Sequence, residues 1–154
     1  NLLASEIIGR EVGGFSDVVL INRGRRDGVQ RNNPVVSGQF LIGQIKEVYT
    51  KKAQVQFITA VDSIVNGMLQ NSRAKGVVRG GIGYGLEMES IPKNTEITSG
   101  ELVITSGLGE TFPKGLIIGQ VEEAISGRGD IFKKVSLITP VNFNSLEIFF
   151  VVID

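Results

Sequence analysis

The chain has 154 residues, 42% hydrophobic and 21% charged, the composition of an ordinary globular domain. Its 16 basic and 16 acidic side chains cancel, and with 6% aromatics and no Trp it offers neither the field nor the stacking surface of a nucleic-acid binder. It contains no histidine and no cysteine, which removes disulfides, thiolate chemistry, Ser-His-Asp and Cys-His catalysis, and ordinary zinc sites.

Helical periodicity is nearly absent. Residues 1–8 could close a preceding helix, after which 7–12 and 17–21 read as strands separated by Gly13 and Gly14. Residues 23–29 form a charged turn with Gly24 and an Asp27-Gly28 turn dipeptide. Pro34 opens a short strand through Val35 and Val36, and Gly38 turns the chain into a strand over 40–48. Residues 53–57 alternate, which predicts one buried and one wet face. Asp62 and Ser63 close the first half. Strands over 64–70 and 75–79 follow, then a glycine-rich hairpin at 80–85, a strand over 86–91 and a polar loop over 92–100.

Residues 100–119 hold the organising unit. Leu102, Val103 and Ile104 form a short apolar run with two β-branched members, stopped by Gly107 and Gly109; Pro113 and Gly115 then turn the chain into a second run, 116–118. A turn over 124–130 and strands over 132–138 and 146–153 complete the chain. The unit has an earlier counterpart. Residues 19–24 parallel 102–107, and 41–48 parallel 117–124 at an offset of 76 residues (119 minus 43). One recurrence at that spacing points to two copies of a small β-unit rather than a solenoid. Gly43 and Gly119 lie inside strands, where glycine marks a sharp bend or close backbone approach of the kind small barrels need. The predicted fold is all-β: two consecutive barrels of about six strands, residues 1–62 and 63–154. Whether 146–153 closes the second barrel or returns to the first is open. Gly24, Gly28, Gly43, Gly107, Gly109, Gly115 and Gly119 are the structural glycines. Each half-sized unit would bury only about 60% of its unfolded surface, so the two should lean on one another or on a partner.

These phrases together resemble the extracytoplasmic β-domain of the MreC family of rod shape-determining proteins. The matching stretches are 18–24, Asp27-Gly28-Val29, Pro34-Val35-Val36, 41–45, Ser72-Arg73, 76–80, 100–109, 112–115 and Ile118-Gly119. The resemblance implies two β-barrels, distantly like the chymotrypsin arrangement, preceded by a coiled coil and one membrane-spanning helix. Neither preceding element is in this sequence, and a chain opening on Asn1 instead of Met is read as a fragment. It further implies a scaffold on the extracytoplasmic (periplasmic) side of the cell membrane that self-associates and binds class B penicillin-binding proteins. MreD, RodA and the MreB filament would be further members of the wall-elongation machinery.

Little in the sequence competes with a non-enzymatic reading, and no cofactor is expected. A Ser-Lys dyad survives as a remote option. Glu87, Glu89, Glu101, Glu110, Glu122 and Glu123 offer carboxylates for glycan hydrolysis, but no pair stands out. Residues 81–85 lack the third glycine of a dinucleotide fingerprint, since position 86 is Leu, and Arg128-Gly129-Asp130 reads as a turn. The candidate partner contacts are Arg23, Arg25 and Arg26, in a positive cluster with Arg31, and Leu108 and Phe112 at the glycine corner. Phe112 and Leu108 could instead plug that corner from beneath, the commoner fate of apolar turn residues next to Pro. Strand edges and loops are the expected means of contact. The alternative function is a glycan- or polymer-binding β-module that uses the arginine turn.

Overall fold

The computed structural model describes residues 1–10, 17–81, 85–109, 112–125 and 131–153. The Gly13-Gly14 turn, the tip of the glycine-rich hairpin at 82–84, Glu110 and the Arg128-Gly129-Asp130 turn lie outside the described residues. The described chain forms one continuous ladder of twelve strands. In order they are β1 (Leu2–Arg10), β2 (Val18–Ile21), β3 (Pro34–Ser37), β4 (Phe40–Val48), β5 (Ala53–Phe57), β6 (Ile64–Leu69), β7 (Lys75–Gly80), β8 (Leu86–Pro92), β9 (Leu102–Thr105), β10 (Ile117–Ala124), β11 (Phe132–Ile138) and β12 (Ile148–Val152).

The ladder closes on itself twice. β1, β2, β5, β4, β3 and β12 make one six-stranded ring, and β6, β7, β8, β11, β10 and β9 make a second. The rings touch through one parallel pair, Phe40 of β4 with Ile117 of β10, and the Ile117 amide donates to the Gln39 carbonyl at 3.0 Å. The first core gathers Ile21, Ile42, Ile45, Phe57 and Phe149; the second gathers Leu69, Met88, Ile91, Val103 and Ile118. Leu41 of β4 and Ile58 project into the second core, and Phe143 packs against both. The Phe143 ring sits 5.2 Å from that of Phe57.

The 76-residue recurrence is structural. Gly43 pairs with Val35 and Gly119 with Val103, and each strand then shifts register at the same place, between Ile45 and Glu47 and between Val121 and Glu123. A β-carbon on Gly43 would lie 2.3 Å from the Gln56 carbonyl oxygen, and one on Gly119 would lie 2.6 Å from that of Ile138. Both obstacles are backbone, which cannot swing aside, so a bare α-carbon is what lets each ring turn tightly. The parallel between 19–24 and 102–107 does not hold in the same way. Residues 19–21 lie on β2, between β1 and β5, whereas 102–105 lie on β9, whose place in its ring is that of β3. Similar run-then-glycine wording there serves two different positions.

Two local expectations are corrected. Residues 1–8 are not the end of a helix: Leu2–Arg10 is a strand, pairing from Leu2 with Val152 to Glu6 with Ile148. Ser5 is buried and its hydroxyl donates to the Phe149 carbonyl at 3.1 Å, so the stabilising partner is at the far end of the sequence. On β5 the wet face is not fully wet. Gln56 is buried, its amide donating to Asp62 at 2.8 Å beneath the 58–62 crossing.

Replacing Gly43 or Gly119 by Ala should cost about 3 kcal/mol each through forced backbone displacement. Gly38→Ala should cost only about 1 kcal/mol, since the site has φ of 60° but nothing within 4 Å of the new methyl. Denaturant midpoints compare the three, and equal losses would contradict the corner assignment.

Candidate functional site: the cleft between the barrels

The charged turn after β2 is tied to its own barrel. Asp27 closes a single 3-10 turn, Arg25–Asp27, by accepting the Gly24 amide at 3.0 Å. Arg23 donates to the Ala4 carbonyl at 2.8 Å and lies 3.7 Å from Asp27, Arg26 lies 4.0 Å from the same carboxylate, and Arg25 reaches the Val48 carbonyl at 3.4 Å. The β4–β5 hairpin closes over this turn. Arg25 and Arg26 amides donate to the Tyr49 and Thr50 carbonyls at 2.8 and 3.1 Å, and a β-carbon on Gly24 would meet Tyr49 O at 2.5 Å. Gly28 adopts the left-handed conformation that ends the turn.

The glycine corner between β9 and β10 is held by one buried hydroxyl. Thr105, fully buried, donates to the Pro113 carbonyl at 2.6 Å and accepts the Leu116 amide at 2.9 Å. Asn66 fixes the other side, donating from its side chain to the Leu108 carbonyl at 3.2 Å. Gly107, Gly109 and Gly115 all have positive φ, between 79° and 98°, which allows the loop to double back over the barrel. Phe112 is 8% exposed and belongs to the second core, whereas Leu108 is 51% exposed. The plug and the exposed apolar residue are therefore different side chains.

Beside the glycine corner lies an open cleft of about 930 Å³. One wall is the loop leading into β3, residues 31–34; the other is the glycine corner, including Ser106, Phe112 and Lys114. Asn32 holds a left-handed φ of 74° and Asn33 accepts the Gln30 amide at 2.7 Å, so that wall is a fixed loop. Gly107, Gly109 and Phe112 of the sequence-predicted residues come to this cleft. Arg23, Arg25 and Arg26 do not line it; Arg31, from the same cluster, does. Thr105 and Asn66 had no counterpart in the sequence reading, although a Thr closing a strand before a glycine turn is a recognisable side-chain-to-backbone signal.

Four of the six carboxylates considered for hydrolysis serve the barrel. Glu87 pairs with Lys134 at 3.0 Å, Glu89 pairs with Arg79, and Glu122 accepts from Ser136 at 3.2 Å. Glu101 is buried and accepts the Thr98 and Asn71 amides at 2.9 and 3.2 Å, pinning the loop before β9.

A family model described as "Rod shape-determining protein MreC, barrel core" matches residues 7–153. The chain belongs to the MreC family. It is 32% identical over 129 residues to the cell shape-determining protein MreC of Listeria monocytogenes, covering 79% of this chain and 43% of that relative. The chain spans less than half the length of the curated MreC proteins it matches. The crystal structure of MreC from Pseudomonas aeruginosa superposes with a TM-score of 0.91 at 27% identity, over 99% of each chain. A chain from a Helicobacter pylori structure shares the fold at a TM-score of 0.78 and 16% identity, over 99% of each. The doubled glycine corner is thus part of an MreC barrel core.

Phe112→Ala should destabilise this MreC barrel core by about 3–5 kcal/mol, as for other buried aromatics, while Leu108→Ala should stay within about 0.5 kcal/mol of the parent. Equilibrium urea unfolding separates them. A comparable loss at position 108 would mean that Leu108 packs rather than presents.

Proposed function

We propose that this chain is a non-enzymatic scaffold of the cell-wall elongation machinery, acting on the extracytoplasmic side of the membrane by binding a class B penicillin-binding protein. The family match over residues 7–153 carries the reading. The Helicobacter pylori neighbour is described as part of a complex between a penicillin-binding protein and MreC, which supports the same kind of partner here. The sequence composition agrees, because a chain without histidine or cysteine lacks the usual proton carrier and thiolate for acyl transfer. Self-association, membrane attachment through a preceding helix, and work alongside MreD, RodA and MreB extend the proposal by family resemblance. The polymer-binding alternative loses ground at the arginine turn, whose guanidinium groups are engaged with backbone carbonyls and Asp27.

The manner of binding follows from the topology. Every described strand has ladder partners on both sides, so the rings leave no whole strand edge open to strand addition. Contact falls to side chains, loops and the cleft between the barrels. A platform of this rigidity acts on a transpeptidase by binding one of its orientations or states better than another. Mixing the chain with the extracytoplasmic part of its cognate penicillin-binding protein should give saturable heat in titration calorimetry. No heat at several temperatures, with both proteins folded, would overturn the proposal.

A further inference from the structure

Among the described residues, each wall of the cleft between the barrels carries a cation. Arg31 stands on the first-barrel wall with 67% of its side chain exposed, loosely paired at 3.8 Å with Glu47, itself half exposed. Lys114 stands on the opposite wall, and its ammonium has no ion-pair partner among the described residues. No carboxylate occurs among the described lining residues. The side-chain amide of Asn32 is likewise without a hydrogen-bond partner among the described residues, and Pro113 and Val152 supply apolar surface.

We propose that this cleft takes an acidic extended peptide segment of a partner protein, with a carboxylate held between Arg31 and Lys114 and a neighbouring apolar side chain against Pro113 and Val152. Two cations lining one cleft attract an anion more strongly than either would alone on a convex surface, because the low-dielectric walls focus the field. Asn32 can serve a peptide backbone in both directions, as donor and acceptor. A volume of about 930 Å³ suits a few residues of extended chain. A polysaccharide fits less well. Sugar rings favour an open aromatic face, and the one aromatic side chain among the described lining residues, Phe112, is 8% exposed. Naming the penicillin-binding protein as the owner of the segment rests on the function proposed above; the chemistry of the cleft does not.

Fluorescence anisotropy with a labelled peptide of alternating glutamate and valine tests the cleft directly, with an alternating lysine and valine peptide as its counterpart. The acidic peptide should bind and the basic one should not, and affinity should fall about tenfold between ~50 and ~500 mM salt. The double variant Arg31→Glu/Lys114→Glu should lose about tenfold or more, while the charge-matched Lys51→Glu/Lys75→Glu, after β4 and at the start of β7, should change by less than about twofold. Circular dichroism confirms that both variants are folded. Failure of the acidic peptide to bind, equal binding of the basic peptide, or equal loss in both variants would overturn the proposal. So would displacement of the peptide by dextran sulfate at equal affinity, which would mark a general polyanion site. Calorimetry against the penicillin-binding protein then separates the two claims. Silence with the parent chain counts against the scaffold reading and leaves the peptide result to decide the cleft, whereas undiminished binding by the double variant counts against the cleft alone.

Discussion

A backbone carbonyl pressed against a bare α-carbon, at Gly43 and again at Gly119, is the constraint on which the architecture turns. The carbonyls of Gln56 and Ile138 occupy the space where any other residue would carry its β-carbon. That approach bends β4 and β10 sharply, and the register shift two residues further on completes the bend in both. Six strands of four to nine residues can then close into a ring around a core of aliphatic side chains. The sequence states this corner twice, and the fold builds it twice in matching register.

What the corners close, the seam unites. The rings share one parallel strand pair, and Leu41, Ile58 and Phe143 carry apolar surface from one core towards the other. Each ring alone is small enough to be marginal, so burial across the seam is a considerable part of what holds either together. The cleft lies along this seam, with one wall from each ring and both walls fixed by hydrogen bonds: the Gln30–Asn33 turn on one side and the Thr105 and Asn66 contacts on the other. A site assembled from two rigid halves keeps its shape before a partner arrives, so little of the binding energy is lost to ordering it.

Much of this was legible because it is local. Strand runs such as 40–48 and 53–57, the turn at Asp27-Gly28, and the glycine corner after Ile104 announce themselves through residues a few positions apart. The same locality explains the misreadings. The first half of β1, Leu2–Glu6, pairs with Ile148–Val152, which no window of the sequence brings into view, whereas its second half pairs with the neighbouring β2. The likeness of 19–24 to 102–107 was a likeness of punctuation, whereas ring position depends on which strands flank each run. Alternation puts Gln56 on the wet face of β5, and Glu101 is one carboxylate among six with nothing to single it out, yet both are buried with specific partners. The positive cluster was visible, but not which of its members would turn inward to Asp27 and which, Arg31, would reach the cleft.

If the two barrels form one platform, they must also melt as one. Differential scanning calorimetry of the intact chain should give a single endotherm whose calorimetric and van't Hoff enthalpies agree. Two resolved transitions, or a calorimetric enthalpy well above the van't Hoff value, would mean that the barrels are independent units on a flexible join, and would contradict the account.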